Sequence, residues 1–113
     1  MRIIGTNISM IRGDSESILV SMASSEGEER DFVLGDTVYF TIKENINTDK
    51  KVVQKIITEF TEGKALIELL PSDTDELRVK EYIYDIQLTR ADGSVTTIIA
   101  PSKFSVLGDV TRE

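Results

Sequence analysis

Leu70-Pro-Ser-Asp-Thr-Asp-Glu-Leu-Arg-Val-Lys-Glu-Tyr-Ile-Tyr-Asp-Ile-Gln-Leu-Thr-Arg-Ala-Asp-Gly-Ser-Val-Thr-Thr-Ile-Ile-Ala100 reads as a polar corner, a long strand, a turn and a returning strand. Along Tyr82, Tyr84, Ile86 and Leu88 every second residue is large and apolar. Asp85 and Gln87 stand between them, with Ile83 the one apolar exception. A period of two buries one face of a strand and wets the other. Asp92-Gly93 predicts a two-residue type I′ hairpin turn, since both residue types tolerate the positive φ that turn demands. The polar run Ser72-Asp73-Thr74-Asp75-Glu76 predicts one helical turn, with Ser72 or Asp73 capping free backbone amides.

Outward from that centre, other runs repeat the alternation. Thr37-Val-Tyr-Phe-Thr-Ile-Lys43 should turn Val38, Phe40 and Ile42 inward and Tyr39, Thr41 and Lys43 outward. Ala65, Ile67 and Leu69 form the inward set of a strand over Lys64–Leu70, which Pro71 stops because it has no N–H to donate. Ile8 and Met10 mark a short strand reaching Arg12, and Ile18, Val20 and Met22 mark a second one. Gly13-Asp14-Ser15 turns the chain between these two. Val52–Phe60 repeats Val52, Ile56 and Phe60 at helical spacing, but its β-branched residues favour a strand. Pro101 is expected to break the returning strand, which Phe104 and Val106 then extend as a final edge. Ala23–Asp31 reads as a loop, Phe32-Val33-Leu34 as a cover over an open end of the core, and Gly35-Asp36 as a turn. Glu44–Lys51 reads as a connection from one sheet to the other, and Gly108–Glu113 as a polar exit. About seven short strands without a long helix predict a single all-β domain over residues 1–113, an antiparallel β-sandwich. A corner followed by Tyr-x-Tyr at a strand start resembles the tyrosine corner of immunoglobulin-like sandwiches, and makes that the expected form.

Composition removes several classes of function. The 113 residues carry a net charge of −7, whereas nucleic acids and anionic membranes both recruit basic surfaces, so neither partner is expected. Cysteine and histidine are both absent, which takes away the usual nucleophilic triads and the commonest ligands of zinc. Asp and Glu total 20, so a carboxylate pair of the glycosidase kind is formally available, yet nothing singles out one pair. The expectation is a chain that is no enzyme and holds no metal or cofactor, with no small-molecule ligand. No apolar run near Met1 is long enough for a signal peptide.

Four further features have a bland reading and a functional one. Asp73-Thr74-Asp75-Glu76 offers hard oxygens to calcium but lacks the Gly and distal Glu of an EF-hand, and capping accounts for it. Arg12-Gly13-Asp14 spells an integrin-binding tripeptide, but Gly-Asp recurs at Gly35-Asp36 and Gly108-Asp109, which favours turn formation. Asn7-Ile8-Ser9 matches a glycosylation acceptor, relevant only in a eukaryotic secretory setting. Tyr82 and Tyr84 share the register of Ile86 and Leu88, so packing is expected of them in place of sugar stacking. Tyr39, Thr41 and Lys43 lie on the wet face of their strand and are the candidate contact surface.

Asn7-Ile-Ser-Met-Ile-Arg-Gly-Asp14, Gly35-Asp-Thr-Val-Tyr-Phe-Thr-Ile-Lys43 and Tyr82-Ile-Tyr-Asp-Ile-Gln-Leu88 with Pro101-Ser-Lys-Phe104 carry a resemblance over nearly the whole chain. It is to small phage and prophage proteins of Gram-positive bacteria and, more loosely, to the N-terminal domain of the siphophage baseplate upper protein family. The resemblance implies an immunoglobulin-like sandwich acting as a structural or attachment module of a tail or baseplate, found in the virion or, before assembly, in the bacterial cytoplasm. Its expected partners are other phage structural proteins or further copies of itself. The motifs are structural and include no catalytic signature. Those upper baseplate proteins continue into further domains where this sequence stops at Glu113, which favours a small accessory virion protein, or a prophage product of another role, over a receptor holder. A carbohydrate-binding or adhesion module on the same fold is the alternative.

Overall fold

The computed structural model describes residues 1–23 and 29–110. Part of the expected Ala23–Asp31 loop and the last three residues of the expected exit lie outside them. Among the described residues the chain is mostly strand: β1 (Arg2–Ile4), β2 (Asn7–Ile11), β3 (Glu16–Val20), β4 (Met22–Ala23), β5 (Glu29–Arg30), β6 (Thr37–Lys43), β7 (Lys51–Ile57), β8 (Ala65–Leu69), β9 (Lys80–Thr89) and β10 (Val95–Leu107). The single helical turn α1 (Pro71–Thr74) lies between β8 and β9. Six strands form one sheet in the order β1-β2-β10-β9-β6-β7, β3 pairs with β8, and β4 pairs with β5.

The alternation read along β6, β8 and β9 holds residue by residue. Val38, Phe40, Ile42, Ala65, Ile67, Leu69, Tyr82, Tyr84, Ile86 and Leu88 are all buried. Together with Ile8, Met10, Ile18, Val20, Phe104 and Val106 they make one hydrophobic core to which both the large sheet and the β3–β8 pair contribute. Phe40, Tyr84 and Phe104 meet at its centre with ring centroids 5.4, 6.0 and 6.2 Å apart, two of the three contacts edge-on. Burying each such ring stabilises the fold by roughly 1.5–3 kcal/mol. Tyr84 keeps its hydroxyl satisfied by donating to the Thr6 carbonyl, and Tyr82 donates to the Arg78 carbonyl at 2.9 Å.

Several expectations are corrected. The sheet is mixed: the C-terminal half of β10 runs parallel to β2, Phe104 opposite Ile8 and Val106 opposite Met10. That half is therefore interior to the sheet, not an edge. Pro101 does not end the strand. The β10 register against β9 shifts between Thr97 and Ile99 and again between Ile99 and Ser102, so the proline sits in an irregularity where no ladder N–H is asked of it. Glu44–Lys50 does not cross between sheets, because β6 and β7 are antiparallel neighbours. It is a hairpin loop stiffened by Asn45 Oδ1 accepting from Asn47 N and Thr48 Oγ1 accepting from Lys50 N.

The crossing comes after β7, through a tight turn in which Thr61 and Lys64 exchange backbone hydrogen bonds of 3.0 Å. Glu62 (φ 54°) and Gly63 (φ 75°) are its two central residues, both left-handed, as a type I′ turn requires. The turn assigned to Asp92-Gly93 is of another kind. Among those residues only Gly93 takes positive φ, and Gly93 N bonds to Arg90 O while Arg90 N bonds to Ser94 O. That is a three-residue hairpin loop closed by a glycine bulge.

Of the expected cover, Phe32 alone is buried, stacked on Phe60 at 5.2 Å, while Val33 and Leu34 face outward. The strand through Met22 is interrupted at Ser21, and Met22–Ala23 pairs with Glu29–Arg30 inside the segment read as loop. β1, whose sequence gives too few residues for any period, adds a short strand beside β2 through the Gly5-Thr6 turn.

A concave face on the six-stranded sheet

The outward side chains of β6 and β9 share one face because the two strands pair Tyr39 with Gln87, Thr41 with Asp85 and Lys43 with Ile83. β7 adds a third column, placing Gln54 opposite Thr41 and Lys51 opposite Lys43. Gln54 Nε2 donates to Thr41 Oγ1 at 3.1 Å, so a polar row Gln54–Thr41–Asp85 runs across three strands. Ile46 of the β6–β7 loop and Val95 and Pro101 of β10 contribute further lining, and the result is a concavity of about 370 Å³.

Tyr39, Thr41 and Lys43 all line this concavity, so the structure brings the three candidate contact residues together. All three are half-buried, which follows from the concave shape. Asp85 was legible only as a wet strand position, yet it lies at the centre. Burial drives its carboxyl above the ordinary carboxylate range, and the nearby Lys43 charge offsets that in part. Ile83, the exception to the alternation of β9, lines the same hollow. An apolar residue on a nominally wet face was the one sign in the sequence that this face is partly covered.

The other singled-out residues have structural partners. Arg12 donates through Nε and Nη2 to Asp109 Oδ1, at 3.1 and 2.9 Å, and through Nη1 to the Leu77 carbonyl at 3.2 Å. Gly13 N donates to Thr74 Oγ1 at 2.8 Å, so the Arg12-Gly13-Asp14 turn is docked on α1. The N-cap of α1 is Leu70, ahead of the expected Ser72 or Asp73 and without a side-chain cap; Asp73, inside the first turn, instead accepts from Leu70 N at 2.7 Å and pairs with Lys55 Nζ at 2.8 Å. Asn7 Oδ1 accepts from Lys103 N at 2.9 Å. Tyr82 and Tyr84 belong to the core, 3% and 4% exposed, which leaves no stacking pair on the surface. Among the described residues no group of three or more acidic side chains is arranged to hold a metal ion, and no helix is long and apolar enough to cross a membrane.

The edges of the large sheet differ from its face. β7 turns Lys55 toward the core side, opposite Phe40, and ties it to Asp73. An inward charge on an edge strand discourages pairing with another chain. The opposite edge, β1, is three residues long. No family model, no curated protein and no solved structure matches this chain at a significant level.

Proposed function

We propose that the chain is an immunoglobulin-like β-sandwich module without catalytic activity, which works by protein–protein contact through the concave face of its large sheet. The order β10-β9-β6-β7 in one sheet and β3-β8 in the other is the order G-F-C-C′ and B-E of that fold. The Tyr82–Arg78 bond at the start of β9 has the form of the tyrosine corner. Tyr84, two residues on, holds the position at which the antibody pattern has its second cysteine, and it packs there against Phe40 and Phe104 of the same sheet. The parallel β2–β10 pair departs from the constant-type arrangement, whose first strand joins the other sheet.

The observation that carries the contact reading is the gathering of Tyr39, Thr41 and Lys43 in a hollow of mixed polarity, on the outward face of the large sheet. Among the described residues Asp85 is the only carboxylate in its lining, whereas a two-carboxylate hydrolytic site needs a facing pair. The sequence resemblance supports a tail or baseplate setting, with phage structural proteins or further copies as partners. Co-expression with phage tail and baseplate structural proteins, followed by light scattering, tests this. A stable complex lost in Thr41→Arg is expected. A strict monomer with every neighbour, or selective binding on a glycan array, overturns it.

A further inference from the structure

Asp85 has a direct neighbour, Thr41, on only one side. On the other, β10 shifts register between Ile99 and Ser102, so no residue of β10 stands directly opposite the carboxylate. Irregularities of this kind recur beside binding sites, where they open the ladder around one side chain. Thr41 is itself engaged by Gln54, and no described residue donates a hydrogen bond to Asp85. Lys43 and Tyr39 flank it on the two diagonals of the β6–β9 ladder, a spacing of about 7–8 Å that long and aromatic side chains can bridge. Ile46, Ile83, Val95 and Pro101 supply apolar walls. A carboxylate with open acceptor sites and apolar walls, beside a tyrosine ring, suits a planar cation. The carboxylate accepts two N–H bonds, the ring face attracts the charge, and the walls cover the apolar stem.

We propose that the hollow seats a single arginine side chain presented by a partner protein, its guanidinium group paired with Asp85 and lying against Tyr39. This rests on the contact reading above and deepens it by naming the anchor. Arginine and tyrosine are the residue types that carry most of the energy at protein contacts, and a buried anchor near the centre of the patch is the usual arrangement. Lys43 and its cross-strand neighbour Lys51, which also lines the hollow, oppose the incoming charge, so removal of Lys43 strengthens the site.

Titration of acetyl-Gly-Arg-Gly-amide into isotope-labelled protein at neutral pH, followed by amide chemical shifts, tests the assignment. Saturable shifts confined to residues 39–43 and 83–89 are expected. The affinity should fall about tenfold or more in Asp85→Asn and rise in Lys43→Ala, as loss of one charged hydrogen-bonding partner implies. Acetyl-Gly-Glu-Gly-amide should leave those amides unmoved. Equal shifts in the parent chain and Asp85→Asn, or preference for the glutamate peptide, overturn the proposal. If the arginine peptide binds as described while the chain stays monomeric with every structural protein, the anchor stands and the assembly reading falls. An assembly that forms through Thr41 without dependence on Asp85 has the opposite meaning.

Discussion

Gly63 and Gly93 both take positive φ, at 75° and 89°, yet substitution should separate them. A Cβ on Gly63 would lie 2.2 Å from Asp31 Cγ and 2.5 Å from Asp31 Cβ, whereas one on Gly93 meets nothing within 4 Å. Gly93→Ala should therefore cost only the left-handed strain, roughly 1–2 kcal/mol. Gly63→Ala adds displacement of Asp31, next to the Phe32 N–H that bonds the Gly63 carbonyl, and should cost roughly 2–4 kcal/mol. Denaturant midpoints of the two variants check the order. Asp85 gives a second prediction at this scale. Its carboxyl is raised in the folded chain, so as pH rises the unfolded chain releases this proton first. Stability falls across the window from the ordinary aspartate range up to the raised value, and the penalty persists above it. Asp85→Asn should raise Tm at pH 7 and remove that part of the pH dependence. Lys43, Lys51, Tyr39 and Tyr84 are the other ionisable groups lining the hollow. A site that destabilises its own fold is the expected signature of a binding residue.

At the scale of elements, β6, β8 and β9 were legible because each buries one face only, and period two then shows directly in Thr37–Lys43, Ala65–Leu69 and Tyr82–Leu88. Pairing was not legible. Nothing within β2 or β10 says that Phe104 lies beside Ile8 in parallel, since that depends on a partner nearly a hundred residues away. For the same reason the central aspartate of the concave face was missed. Its outward position could be read from β9, but the strand that would stand opposite could not. Turn types were misassigned because Asp-Gly satisfies both a two-residue turn and a glycine-closed three-residue loop, while Glu62 at φ 54° violates the residue preference of its own turn. β7 was read as a strand on its β-branched residues, but the inward placement of Lys55 became visible only with its ion pair to Asp73. Lys55→Val should leave that edge open and apolar. Concentration-dependent dimers in light scattering are expected from the variant and none from the parent edge. Monomeric Lys55→Val at millimolar concentration would show that the edge is protected by other means.

Among the described residues one core joins a six-stranded sheet to two smaller strand pairs, and the large sheet turns a hollow, partly polar face outward. Tyr39, Thr41 and Lys43 reach that face by the same alternation that sends Val38, Phe40 and Ile42 inward, so the proposed contact surface and the core are specified by one strand pattern. The chain has no native cysteine, so single cysteines report on either side without background. The most direct test is thiol labelling of Thr41→Cys and Val38→Cys, in the free chain and in the proposed assembly. The account predicts that Thr41→Cys reacts in the free chain and is protected in the assembly, with Val38→Cys protected in both. Equal reactivity of Thr41→Cys in the two states would contradict it.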